Sequence, residues 1–320
     1  MVNRKKISIK PVTDNISMID LLEAGKERVT CSYLIKAEKL TLVETGPGPS
    51  GEIILQVLEQ EGYTLKDLSF IVVTHIHLDH AGAAGYLIKK CPNATLVVHP
   101  RGARHMIDPH RLIEGASKAF DDLRTQLFPV CPVPQERIMM VEDEEVLDLG
   151  ERKLTFYHGE GHAPHHMTIM DNLTKGLFSG DLLGLHFSEL ADLNIDFCLP
   201  STAPPQFNPS AFLNSLEKIR QINPDWIFFS HYGAVKGLTI DYLDICRQGI
   251  MEHLQIVKEV CDGDVNVNWQ KISRSLKTKI WENLIIRGFP PGKPLPEYME
   301  QNIDLNAKGL LDWWEREQTN

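Results

Sequence analysis

Three histidines and an aspartate lie within six residues of one short segment of the chain. The segment reads Thr-His-Ile-His-Leu-Asp-His-Ala-Gly over residues 74–82. Imidazole and carboxylate groups at such short spacing are typical of a metal site, because each offers a lone pair to a divalent cation. A His-rich solvated loop is the alternative, but it does not explain why four potential ligands directly follow a core strand. The segment therefore predicts a metal centre.

The residues around this segment predict how it is positioned. An apolar, β-branched run at 70–73 predicts a buried strand that ends where the polar cluster begins. Side chains two residues apart on an extended chain point the same way, so we expect His75 and His77 to converge on one point. Asp79 and His80 fall at the start of a helix predicted over 81–88.

Three further predicted strands also end in a histidine or an aspartate close to glycine, which frees the backbone. The strand at 154–157 leads to His162, the strand at 176–178 leads to Asp181, and the strand at 226–229 leads to His231. Each of these is weak evidence alone, because an aspartate after a strand is usually a turn residue. Together they predict the remaining ligands of a two-metal site.

In this order the residues resemble the motif of the metallo-β-lactamase superfamily, His-x-His-x-Asp-His followed by a His, an Asp and a final His. The resemblance covers roughly residues 7–235, and it implies an α/β fold, the αββα sandwich, with metals at one edge between two sheets. It implies a first metal on His75, His77 and His162, and a second on Asp79, His80 and His231. Asp181 would bridge both. The matching positions are His75, His77, Asp79, His80, His162, Asp181 and His231.

The ligand types fit zinc, iron or manganese. We expect two divalent metal ions to bind, and we favour zinc. Two such cations would share a hydroxide and lower its pKa from ~15.7 towards ~7. This metal-bridging hydroxide would attack a small acyl substrate, either a thioester as in the glyoxalase II branch or a lactone as in the lactonase branch. We expect Asp79 to be catalytic, orienting the nucleophile and passing a proton to the leaving group.

Three departures from the family pattern weaken any substrate inference from a subfamily, although they leave the ligand set intact. Glu160 and His165 stand where relatives often have proline and glycine. The usual Asp-Thr-Gly after an early strand is Glu44-Thr45-Gly46. The segment between the first cluster and His162 is long, because a mostly helical insertion is predicted at about 100–135.

Residues near the substrate are harder to identify. The loop at 185–209 follows Asp181 and holds several aromatic and apolar residues, so it would either form a wall for an acyl chain or pack its own side chains. We place His186 and Tyr232 near the substrate. The alternative for both is an ordinary, partly buried polar residue.

Other functions use the same family motif. A mononuclear-iron persulfide dioxygenase would use only His75, His162 and Asp181. A di-iron oxygen-binding protein is a second alternative, but the flavodiiron branch usually replaces the second histidine by glutamate. This chain has His77, and no flavin-binding segment is recognised. A regulatory or binding protein with a relic site is a third alternative, which the complete ligand set argues against.

The composition narrows the class of partner. The chain has 320 residues and a formal net charge of −10, with no long Lys/Arg block, which argues against nucleic acid. No apolar run reaches the ~18 residues of a membrane helix, and no signal peptide is visible. The six cysteines are scattered, which predicts reduced thiols. We therefore expect a cytoplasmic protein with a small-molecule substrate, bound to neither nucleic acid nor membrane.

The chain is predicted to form two parts. Residues 1–238 would form the metallo-β-lactamase-like αββα domain, and residues 239–320 a C-terminal helical extension. Apolar residues three or four apart over 243–261 mark one face of a long helix, and helical patches follow near 268–286 and 304–316. The helices, with Trp313 and Trp314, would dock on the sandwich, cap the site or form a homodimer interface.

Overall fold

The structure is a computed structural model that describes residues 7–13, 15–119, 130–262 and 267–319. The strands are β1 Ile9–Thr13, β2 Ile16–Asp20, β3 Cys31–Ile35, β4 Leu40–Val43, β5 Leu68–Val72, β6 Thr95–Val98, β7 Ile138–Met140, β8 Val146–Asp148, β9 Lys153–His158, β10 Met167–Asp171, β11 Gly176–Gly180, β12 Leu185–His186, β13 Cys198–Leu199, β14 Trp226–Phe229 and β15 Gly233–Lys236. The helices are α1 Ser50–Gln60, α2 Leu78–Ala81, α3 Ala84–Lys90, α4 Pro100–Ile107, α5 His110–Ala119, α6 Ser188–Ala191, α7 Pro209–Ile222, α8 Thr239–Cys261, α9 Trp269–Ile286 and α10 Glu297–Thr319.

The chain divides into two units by its internal contacts. The first unit consists of Met1–His158, His165–Gly180 and Asp225–Val235. The second consists of Gly159–Pro164, Asp181–Pro224 and Lys236–Asn320. The chain therefore passes between the units several times, and the predicted two-part division at residue 238 stays a prediction.

The first unit contains two mixed β-sheets. The seven-stranded sheet runs in the order β1 to β7, antiparallel from β1 to β4 and parallel from β4 to β7. The second has the order β15-β14-β11-β10-β9-β8, with β11 and β14 parallel. Parallel neighbours need a crossover connection, and α1 provides it between β4 and β5.

Successive side chains of the central strands of the seven-stranded sheet belong to two different cores. Leu42, Ile71 and Leu96 join a buried cluster that also contains residues of α1 and α3. Their neighbours join a second cluster that contains residues of both sheets. Burial on both faces explains why these strands are continuous apolar runs. The members of the second cluster include Val43, Val72 and Val97 from the first sheet and Phe156, Ile169 and Phe178 from the second.

The second unit is mainly helical. The long helices α8, α9 and α10 correspond to the three helical patches predicted after residue 238, so the predicted C-terminal helices are confirmed. However, α10 begins at Glu297, seven residues before the predicted patch. Its first turns contain fewer apolar residues, which is why the periodicity did not reveal them.

Several local details differ from the predictions. The helix expected over 81–88 is divided, because α2 ends at Ala81 and α3 begins at Ala84. Gly82, between them, packs closely on the chain at Gly48, whose nitrogen would be 2.9 Å from a Cβ there. The short strands β8, β12, β13 and β15 carry too few residues for a periodicity signal.

The predicted helical insertion is present in part. α4 and α5 lie within it, whereas residues 120–129 of the predicted segment are outside the described residues. Within the described ranges, no helix is both long and apolar enough to cross a membrane.

A buried ion pair in the first unit yields a stability prediction. Arg152 Nη1 lies 3.3 Å from Asp171 Oδ2, and both side chains are buried. Arg152→Met should lower the free energy of unfolding by about 3–5 kcal/mol, because it leaves a buried carboxylate without its guanidinium. Urea unfolding followed by circular dichroism measures the change. Arg111→Met, at an exposed site on α5, is the control and should stay within about 0.5 kcal/mol of the parent. Equal effects of both substitutions would contradict the prediction.

Candidate metal centre

The carboxylate of Glu44 holds both ends of the histidine-rich segment in the first unit. Glu44 follows β4 and is buried. Its Oε1 accepts a hydrogen bond of 2.7 Å from the backbone nitrogen of Thr74, and its Oε2 lies 2.7 Å from Nδ1 of His80. An Nδ1–H that donates to this carboxylate leaves Nε2 of His80 as the lone-pair nitrogen that a metal needs.

The first two histidines of the segment face each other. Nε2 of His75 lies 3.0 Å from Nδ1 of His77, so the expected convergence of the two side chains is observed. Nδ1 of His75 is within 3.1 Å of the Thr74 hydroxyl, which orients the ring from behind. His75 is fully buried, and His77 is half-buried. His75 and His77 therefore present imidazole nitrogens from the same side of a short extended segment.

Asp79, His80 and His231 form a cluster that can hold a metal ion. One ligand atom from each lies within 4.8 Å of the other two. Asp79 Oδ2 is 3.6 Å from His80 Nε2 and 3.9 Å from His231 Nε2. Two atoms that bind one ion tetrahedrally at ~2.1 Å are about 3.4 Å apart. The donor types and their spacing therefore fit a divalent metal.

Two buried histidines that were not predicted as site residues lie beside this segment. The His166 ring centroid is 4.8 Å from that of His75, and the His165 centroid is 5.4 Å from that of His77. Both follow the predicted ligand His162, and the only sequence signal was the departure of His165 from the family pattern.

Gly180, the last residue of β11, has φ of +51° and lies directly against this histidine group. A Cβ at this position would be 2.4 Å from Nε2 of His166 and 2.6 Å from the Thr74 hydroxyl. Only glycine therefore fits both the backbone conformation and the space.

The second unit contains the remaining two predicted ligands, His162 and Asp181. His162 Nε2 is 3.5 Å from Asp181 Oδ2. Nδ1 of His162 donates to the Ser201 carbonyl at 3.2 Å, and the Ser201 hydroxyl donates to Asp181 at 3.0 Å. This arrangement leaves Nε2 of His162 available to a metal. Ser201 was not predicted, because no local signal connects it to Asp181.

The C-terminal helix α10 fixes the segment that contains Ser201. Asn306, a buried residue of α10, donates from Nδ2 to the Pro200 carbonyl at 2.7 Å and accepts from the Thr202 nitrogen at 2.8 Å. Gly309 allows the close approach, since a Cβ there would be 1.9 Å from the Thr202 carbonyl oxygen. The helix therefore positions polar groups next to two predicted ligands.

The two predicted substrate residues are both buried. Tyr232 follows His231, has φ of +46° and belongs to the core cluster of the two sheets. Burial raises its pKa to about 12. His186 lies in the second unit with its ring centroid 6.2 Å from that of Tyr242. Their contact with a substrate stays a prediction.

Comparison with known proteins identifies a family and relatives that match the chain over different lengths. The chain matches the Metallo-beta-lactamase superfamily over residues 25–231, which is more than half of its length. It is 28% identical to the metallo-beta-lactamase fold-containing protein ST1585 of Sulfurisphaera tokodaii, over 88% of this chain and 90% of that protein. It is 31% identical to the N-acyl homoserine lactonase AttM of Azorhizobium caulinodans, over 38% of this chain and 41% of that protein.

A solved structure supports the fold. The crystal structure of the metallo-beta-lactamase family protein TTHA1429 from Thermus thermophilus matches with a TM-score of 0.69 and 16% identity. The match covers 96% of this chain and 95% of that protein. The predicted fold, an α/β sandwich of mixed sheets with additional C-terminal helices, is therefore confirmed.

The contact between Glu44 and His80 yields a prediction about metal affinity. Glu44→Gln keeps the shape of the side chain but removes the charge that orients His80. We expect zinc affinity to fall by about 10- to 100-fold, as for other partners of metal-bound histidines. Competition with a chromophoric chelator measures the affinity. Glu61→Gln is the control, because Glu61 instead pairs with Lys36 at 2.8 Å. An unchanged affinity in a folded Glu44→Gln protein would contradict the proposed orienting role.

Proposed function

The chain belongs to the metallo-β-lactamase superfamily, and on this basis we propose that it is a metal-dependent hydrolase of a small acyl compound, a thioester or a lactone. The observation that carries the proposal is the cluster of Asp79, His80 and His231, whose ligand atoms have the spacing of a metal site. The Glu44 carboxylate behind His80 supports it, because metal-binding histidines usually have such a partner.

We propose that two divalent metal ions bind, and that zinc is the metal. The first would be held by His75, His77 and His162. The second would be held by Asp79, His80 and His231, and Asp181 would bridge the two. The orientation of the imidazoles supports these roles: His80 and His162 each have Nδ1 occupied by a hydrogen bond, which directs Nε2 to a metal.

Hydrolysis of an acyl compound needs a nucleophile and a group that carries a proton to the leaving group. Bound divalent ions would lower the pKa of water to about 7 and polarise the acyl carbonyl of the substrate. Asp79 is the residue that we propose as catalytic. Its side chain is 30% exposed, whereas those of His80 and His231 are buried, so a substrate can reach it. Its carboxylate can orient a water molecule and carry its proton to the leaving group.

The acyl class of substrate is supported by one relative. AttM, named as an N-acyl homoserine lactonase, shares 31% identity over 125 residues with this chain. A lactone and a thioester both carry an acyl carbonyl bonded to an oxygen or sulfur leaving group, and protonation of that group by Asp79 would assist either. We propose that His186 and Tyr232 contact this substrate.

Metal content and activity together test the proposal. Protein purified without added metal or chelator should contain about two zinc or manganese ions per chain by plasma mass spectrometry, and should hydrolyse at least one member of a thioester and lactone panel. Removal of the metal with a chelator should abolish hydrolysis, and zinc should restore it. One iron per chain would instead favour the persulfide dioxygenase, and two irons without hydrolysis would favour an oxygen-binding protein. Failure to bind any metal would refute both the hydrolase and these alternatives.

Asp79 provides the matched mutational test. Asp79→Asn should lower the rate of hydrolysis by about 10²- to 10⁴-fold, because the amide cannot accept the proton that the carboxylate carries. The rate is measured under saturating zinc, so that weaker metal binding does not limit it. Asp108→Asn, at an exposed position between α4 and α5, is the control and should leave the rate unchanged. A parent-like rate for Asp79→Asn would show that this residue is not catalytic.

A further inference from the structure

An open cavity of about 380 Å³ lies within the second unit. One wall is the segment 197–200, which includes β13, and the other walls are formed by α8 and α9. Leu199, Pro200 and Ile280 are buried apolar residues of the lining. A cavity of this size is in the range of small-molecule sites.

The lining also contains a buried polar side chain, His253 of α8. Its exposed fraction is 3%, and among the residues that the structure describes its Nδ1 has no hydrogen-bond partner. Burial lowers the pKa of His253 to about 4, so the imidazole is neutral at pH 7. A buried ring nitrogen without a partner is costly in a folded protein, and a hydrogen bond from a ligand group would remove that cost.

The charged groups at the rim already have partners. Asn283 donates to Glu252 at 2.8 Å, and Arg287 donates to the backbone carbonyl of Asp196 at 3.3 Å. Glu252 is negative and Arg287 is positive, so their charges cancel. A ligand that enters here therefore meets no net charge on the side chains of the lining.

We propose that this cavity binds an uncharged small molecule with an aliphatic body and an amide or hydroxyl group, and that His253 binds the polar group. The aliphatic body would contact Leu199, Pro200 and Ile280. The cavity would bind this ligand without catalysing a reaction, so the proposal does not depend on the proposed hydrolysis.

Octanamide is the probe, because it combines an eight-carbon chain with an uncharged head that both donates and accepts. Isothermal titration calorimetry on the full-length protein should show saturable binding at one site per chain. Octanoate has the same chain but a charged head, and should bind at least tenfold more weakly, because a buried neutral imidazole does not compensate a carboxylate. Absence of saturable octanamide binding, or tighter binding of octanoate, would overturn the proposal.

Variants locate the site. His253→Leu should weaken octanamide binding by about tenfold, as expected for one lost hydrogen bond. Ile245→Trp, which fills the cavity from α8, should abolish binding, and this variant serves if His253→Leu does not fold. Met251→Trp, an exposed position of α8 outside the lining, should bind octanamide as the parent does. Equal affinities of the Ile245→Trp and Met251→Trp proteins would place octanamide elsewhere and refute the assignment.

Discussion

The hydrogen bonds of one buried carboxylate, Glu44, set the geometry on which the candidate metal centre depends. A carboxylate in an apolar interior is stable only if its oxygens are paired. Here one oxygen accepts from the Thr74 backbone, where the histidine segment begins, and the other contacts His80 near its end. Any movement of the segment would leave a buried charge without partners. The predicted ligands of this segment are therefore held in place by hydrogen bonds within the protein.

Unusual backbone conformations occur where strands deliver residues to the centre. Glu44 after β4, Gly180 at the end of β11 and Tyr232 after β14 all have positive φ. Such conformations are uncommon for residues with side chains and persist only where surrounding contacts enforce them. At Glu44 the two hydrogen bonds of its carboxylate provide this enforcement, and at Tyr232 burial in the sheet core provides it. The fold thus uses abrupt changes of chain direction to bring side chains from several strands to one edge.

The second unit supports its own pair of predicted ligands with polar groups. Ser201 contacts both His162 and Asp181, and Asn306 of α10 holds the residues on either side of Ser201. The C-terminal helices therefore do more than cover apolar surface. The same segment, through Leu199 and Pro200, lines the cavity that contains His253. A ligand in that cavity would contact a segment whose next residue bonds to two predicted metal ligands.

Local sequence determined those features that depend on neighbouring residues. The alternation of an extended chain was sufficient to predict that His75 and His77 converge, and helical periodicity was sufficient to predict α8 and α9. The apolar run at 70–73 predicted the strand that precedes the histidine-rich segment. The family and its fold followed from the order and types of seven residues.

Only the tertiary structure decided which polar groups contact the predicted ligands. Glu44 and His80 are 36 residues apart, and Pro200 and Asn306 are 106 apart. The close approach of Gly82 to the distant Gly48 likewise depends on tertiary packing. These pairings arise because burial of apolar faces brings remote segments together and forces their polar groups to find partners there. Sequence spacing alone does not indicate these pairings, because many polar residues are available and only packing decides which of them meet.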